Sequence, residues 1–131
     1  MPTISSETME TLAANMRAAN EVPDIMKSLR EHGDPLAARL PDPVLEREVR
    51  ATLAVCDRLE LTSDTDRSAL CMLEITAFAG LRDLPKLKGL FAYAGGPPDT
   101  KVHSLFTAVP PTFWLQVSER AVDVRRARGL E

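Results

Sequence analysis

The sequence predicts an all-α domain: a compact, irregular array of about seven or eight short helices around a central buried helix at about residues 66–79. Three observations predict it. Apolar residues recur at helical spacing, as in Met9, Leu12, Ala13, Met16 and again in Val102, Leu105, Phe106, Val109, and no run alternates as a strand would. Ten prolines stand mostly where a helix would begin, and glycines stand where one would end. The stretch Leu70–Ala79 is apolar nearly all round, which marks a helix buried on every side. A short helical-repeat stack is the alternative architecture. Against it, the helices are uneven in length and no period of about 30–45 residues repeats.

The elements follow in order. Ser5 or Ser6 caps a first helix by accepting from an otherwise unpaired N–H. Pro23 opens a second, carrying Val22, Ile25, Met26 and Leu29 and ending at Gly33. Asp34-Pro35 and Asp42-Pro43 each read as a cap followed by a first-turn proline. The first begins a short helix of about one and a half turns, the second a long helix to about Leu61. "TSDTD" turns the chain into the central helix, which runs to Gly80 and packs beside the long one as an antiparallel hairpin. "LPKLKGLFAYA" halts at Gly95-Gly96, Asp99 or Thr100 caps the next helix, and Pro110-Pro111-Thr112 precede the last.

At 131 residues the chain is one domain, long enough to fold without a staple. Its 44% apolar and 27% charged residues are those of an ordinary globule. No stretch reaches the roughly 20 apolar residues of a membrane span, and the N-terminus carries no secretory pattern. A cytoplasmic location is therefore expected. The net charge of -3 is uneven: residues 1–66 hold thirteen acids against seven bases, and residues 67–131 six against nine. An acidic chain is a poor non-specific binder of nucleic acid.

The chemistry-bearing residues offer little. His32, His103, Cys56 and Cys71 have no metal-ligand spacing, so neither a metal nor a cofactor is expected. Cys56 and Cys71 lie equally far from the turn near Ser63 and would sit at one height across the hairpin, as small core residues or in contact. Gly95-Gly96-Pro97-Pro98 reads as a stiff corner. Its functional rival is an anion seat at the following helix start, with Thr100, Lys101 and His103. The P-loop spacing is absent and no strand precedes the glycines. Glu74 is the one acid in the central helix. It is expected on a narrow polar strip with Arg67; if buried, it would need a partner such as Arg82. No nucleophile–base set and no catalytic carboxylate pair is visible.

This profile fits a domain that works by binding another protein. Bacterial immunity proteins, antitoxins, secretion adaptors and anti-activators share it. An inhibitor that occludes a basic toxin or enzyme is the expectation, with Glu21, Asp24, Glu31, Asp34, Glu46 and Glu48 facing the partner. The first reading of Phe113 and Trp114 packs both into the core at the helix start. As its rival, Trp114 with Arg120 makes a second candidate contact, because aromatics and arginines are over-represented at interface hot spots. The alternatives are a helical transcriptional regulator using its basic C-terminal half, and a small enzyme with a site assembled from scattered residues.

Overall fold

The computed structural model describes the backbone of residues 6–32 and 35–130, and side chains from residue 19 onward. Among the described residues there are seven α-helices, one 3-10 turn and no strand. The order is α1 (Ser6–His32), α2 (Pro35–Ala38), α3 (Asp42–Arg58), α4 (Asp64–Ile75), the 3-10 turn Leu81–Asp83, α5 (Leu87–Ala94), α6 (Lys101–Ala108) and α7 (Pro111–Ala127). The predicted all-α array is what forms.

One core runs through it. Val22, Ile25 and Leu29 of α1 meet Leu45, Val49, Leu53 and Cys56 of α3, with Leu70, Cys71 and Ile75 of α4 in the middle. Leu87 and Phe91 of α5, Val102 and Leu105 of α6, and Trp114 and Val117 of α7 close the far side. Leu130, just past α7, is buried too. The stripes of Val22, Ile25, Leu29, of Leu45, Val49, Cys56 and of Val102, Leu105, Val109 are those the helical spacing picks out. Phe106 of the last is exposed, and the side chains of Met9, Leu12, Ala13 and Met16 lie outside the described residues.

Two boundaries differ from the sequence reading. Pro23 does not begin a helix; it lies inside α1. A proline there removes one backbone donor and crowds the preceding turn. The helix continues because both sides of the proline are held. Glu21 is gripped by Arg67 of α4, and Val22, Ile25 and Leu29 share one buried face. Tertiary packing overrides the local rule. The expected caps Ser5, Gly33 and Asp34 lie outside the described residues.

The second difference is at the end of α4, which stops at Ile75 rather than running to Gly80. Glu74 is the reason. It is fully buried, not on an exposed strip. Its Oε1 accepts from the Gly80 N–H at 2.7 Å and its Oε2 from the Arg82 N–H at 2.8 Å, so residues 76–82 wrap around the carboxylate. Gly80 is required at that bend. Its φ is +100°, and a Cβ there would come within 3.0 Å of Val124 on α7.

Glu74 anchors an ionic network that is buried at Glu74 and Glu48 and open to solvent at Asp83 and Arg47. Arg128, just past α7, donates to Glu74 at 2.6 Å and to Asp83. Arg82 reaches Glu48 of α3 at 3.2 Å and the Thr52 hydroxyl at 3.0 Å. Arg47 pairs with Glu48 and donates to the Arg128 carbonyl at 2.7 Å. Three carboxylates and three guanidiniums thus tie α3, α4, the 3-10 turn and the chain after α7. Burial raises the pKa of the Glu74 carboxyl, while the Arg128 bond and the two backbone N–H groups pull it back. Arg128 stays charged despite its own burial, because Glu74 and Asp83 hold it so.

Candidate functional site

The site grows from the way α3 stops. Leu61 N–H bonds the Cys56 carbonyl at 2.9 Å and Glu60 N–H bonds the Asp57 carbonyl at 3.1 Å, the double closure of a helix end. That closure needs a left-handed residue at position 60, where glycine is the usual choice. Here it is glutamate, with φ 60°. Leu61 is buried and pins the turn, so the Glu60 side chain is thrown outward.

The chain then enters α4 at Ser63, whose Oγ accepts the Asp66 N–H at 3.1 Å. Asp66 does not reach back to its own turn. It is 1% exposed and crosses to the Gly95–Thr100 corner, where Oδ2 accepts the Asp99 N–H at 3.0 Å and Oδ1 the Val102 N–H at 3.1 Å. The start of α6 is therefore capped by a carboxylate from α4. The Thr100 hydroxyl instead donates to the Pro97 carbonyl at 3.1 Å. The corner is as tight as its glycines suggest: a Cβ on Gly96 would stand 2.5 Å from the Ser104 hydroxyl.

These turns, with α1, enclose an open groove of 660 Å³. Five carboxylates line it: Glu21, Asp57, Glu60, Asp64 and Asp99. Its one guanidinium, Arg67, is already matched. It forks onto Glu21 at 2.7 and 3.0 Å and also binds Asp57 at 2.7 Å and the Leu61 carbonyl at 2.9 Å. The Glu21 bond foremost lifts its pKa above the usual arginine range against the opposing cost of burial. Glu60, Asp64 and Asp99 are exposed and make no ion pair among the described residues, so the groove carries uncompensated negative charge.

The residues singled out from the sequence scatter. Of the six partner-facing acids, Glu21 lines this groove, paired with Arg67. Asp24, Glu31 and Glu46 are exposed on α1 and α3 and are not among its lining residues. Asp34 lies outside the described residues. Glu48 cannot face a partner: it is 2% exposed and held by Arg82 and Arg47. It occupies the apolar stripe between Leu45 and Thr52, and that position was its signal. Trp114 is not an exposed anchor either. It is 8% exposed, stacked on Phe106 at 4.2 Å with Phe78 and Phe113 edge-on, while Arg120 is exposed two turns along. Leu115, one residue on, is the open apolar side chain of that turn. Thr100 and His103 are exposed and Lys101 half-buried at the start of α6, where Asp66 already occupies the Val102 donor. On α7 and just past it, Arg125 donates to the Thr76 carbonyl and Arg128 to Glu74, so two of the four arginines of the basic end point inward.

Cys56 and Cys71 are buried free thiols. Burial pushes Cys56 up to about 12 and lifts Cys71 further, helped by the nearby Cys56. A thiol that stays protonated is a poor nucleophile. The folded protein at pH 8 is expected to leave both unreacted with a water-soluble thiol reagent, and urea to make both react at once. A native-state reaction at either cysteine would show the burial to be wrong. Among the described residues no group of three or more His, Cys, Asp or Glu could hold a metal ion, and no helix is long and apolar enough to cross a membrane.

No protein-family model, curated protein or solved structure matches this chain.

Proposed function

We propose that this is a protein-binding domain that docks a basic partner in the acidic groove, in the manner of a small inhibitor such as an immunity protein or antitoxin. The observation that carries the reading is Glu60. A left-handed turn position favours glycine, and a glutamate there is placed against stability. It adds charge to a groove whose guanidinium is already taken. Asp99, the other non-glycine residue of positive φ among the described residues, lines the same groove with φ 80°. Such a surface speeds the approach of a positively charged partner, and salt slows it.

Replacing Glu60 with glycine should therefore act in opposite directions. Stability rises by about 0.5–1 kcal/mol, because the strain goes and the extra freedom of the unfolded chain returns only part of it. Partner association weakens. Urea unfolding reads the first and binding rates the second.

The decisive experiment is a cross-linking pull-down from the native cell with three forms of the protein. The wild type should retain a basic protein, released by salt. Glu60→Gln, Asp64→Asn and Asp99→Asn together should lose it. Asp24→Asn, Glu31→Gln and Glu46→Gln together remove as much charge elsewhere and should keep it. Retention by the groove variant, or equal loss from both, would reject the groove as the docking surface.

A further inference from the structure

We propose that α7 is a releasable arm, which undocks as one unit about a hinge at Val109–Pro110 while the rest of the described fold stays intact. The inference is independent of the acidic groove. It starts from the connection. Val109 and Pro110 are extended, with φ/ψ of -94°/135° and -60°/149°. Val109 N–H bonds back to Leu105 and Phe113 N–H back only to Pro110, so each helix closes its own end. Pro110 and Pro111 have no N–H to offer across the joint.

The docked helix is held at both ends, and between them by buried Val117 and Ala121 and by the Arg125 bond to the Thr76 carbonyl. Near its start the Trp114 ring sits among Phe78, Phe106 and Phe113. Just past its C-terminus, Arg128 enters the network of Glu74, Glu48 and Asp83. Between the ends, a crevice of 20 Å³ remains among Ala79, Gly80, Leu84, Val117, Arg120 and Val124. Among the described residues, the buried side-chain polar atoms without a hydrogen-bond partner are Trp114 Nε1 and Arg125 Nε, and both belong to α7. A buried donor left unpaired is costly, and it regains water when the helix leaves. The same release rehydrates Arg128, Glu48 and Glu74, whose desolvation the docked state must bear. α3 and α4 also bury polar groups, Glu48, Thr52, Asp66 and Glu74, but the buried polar side-chain atoms of those two helices are all paired, unlike the two on α7. Local opening follows the least well satisfied interface, and here that interface is α7.

Native-state hydrogen exchange of the wild-type protein tests this without any variant. The amides of residues 114–127 are expected to exchange as one set, about 100-fold faster than the core amides of α3 and with a weaker urea dependence. If they exchange with the slowest amides of α3, through global unfolding alone, the arm does not exist. A lock gives the second arm of the test. A Cβ on Gly80 would stand 3.7 Å from the Val124 Cβ, within the span of a disulfide. In a Gly80→Cys, Val124→Cys variant, oxidation should slow α7 exchange to that of α3 and reduction should restore it. The reduced form carries the same strain at position 80 and is the reference. Fast α7 exchange that persists in the oxidised form would overturn the proposal.

Discussion

Replacing Glu74 with alanine is expected to destabilise the protein by about 3–5 kcal/mol, the cost of leaving a buried charge without its partner. Against a total stability of roughly 5–15 kcal/mol for a domain, that is a large share. The carboxylate is the acceptor for three groups at once: the Gly80 and Arg82 N–H groups and the Arg128 guanidinium. Its removal strands two backbone donors and leaves Arg128 with Asp83 and a longer contact to Glu48 at 3.5 Å. The residue 76–82 bend loses the centre it wraps.

Arg128→Met should cost less, about 2–3 kcal/mol, because Glu74 keeps both backbone donors and methionine retains the stem's packing. Urea unfolding of the two single variants and the double gives the coupling directly. The double should cost less than the sum by more than about 0.5 kcal/mol, since residues in one network do not act independently. Additive losses would mean that the two side chains stabilise the fold separately. The network itself is a weak source of stability. Burial pushes Glu74 toward its neutral form, so desolvation offsets part of the attraction. Its role is to fix where the chain after α7 meets α3 and α4.

Helix positions and core stripes were legible because their signals are local. A proline at a helix start, a glycine after an end and an i, i+3, i+4 stripe each act within a turn or two. Glu48 stands in a local stripe that marks it as buried; the failures at Pro23 and Glu74 come from partners distant in sequence. Pro23 was read by a local rule, but Arg67, forty-four residues on, holds the helix through it. Glu74 is expected on a polar strip, with Arg82 as its partner if buried. It is buried, and Arg82 does meet it, through its backbone N–H at 2.8 Å and a longer side-chain contact at 3.9 Å. The other partners are Arg128, fifty-four residues away, and the Gly80 N–H of a bend that exists only because Glu74 is buried. The acidic groove is assembled from α1, the α3–α4 turn and the corner before α6, so no window of sequence contains it.

The Gly95–Thr100 corner depends on a residue outside it, and Asp66→Ala should show this with a loss of about 3 kcal/mol, from two charge-assisted bonds at roughly 1.5 kcal/mol each. Asp66 is buried, and its two oxygens take separate donors, Asp99 N–H and Val102 N–H. Without it, both N–H groups lose that partner, and the positive end of α6 has no carboxylate against it. Asp99 N–H retains the Ser63 hydroxyl at 3.1 Å, so the corner loosens chiefly at α6. Asp66→Asn keeps one acceptor oxygen but turns an amide donor toward the other N–H, so about half or more of the loss remains. Thr100→Ala, at the position where a cap was expected, should cost under about 0.5 kcal/mol, because its hydroxyl serves only the exposed Pro97 carbonyl. Exchange of the α6 amides separates these cases. It should quicken in the two Asp66 variants and stay unchanged in Thr100→Ala. A Thr100→Ala loss equal to that of Asp66→Ala would return the cap to the corner itself.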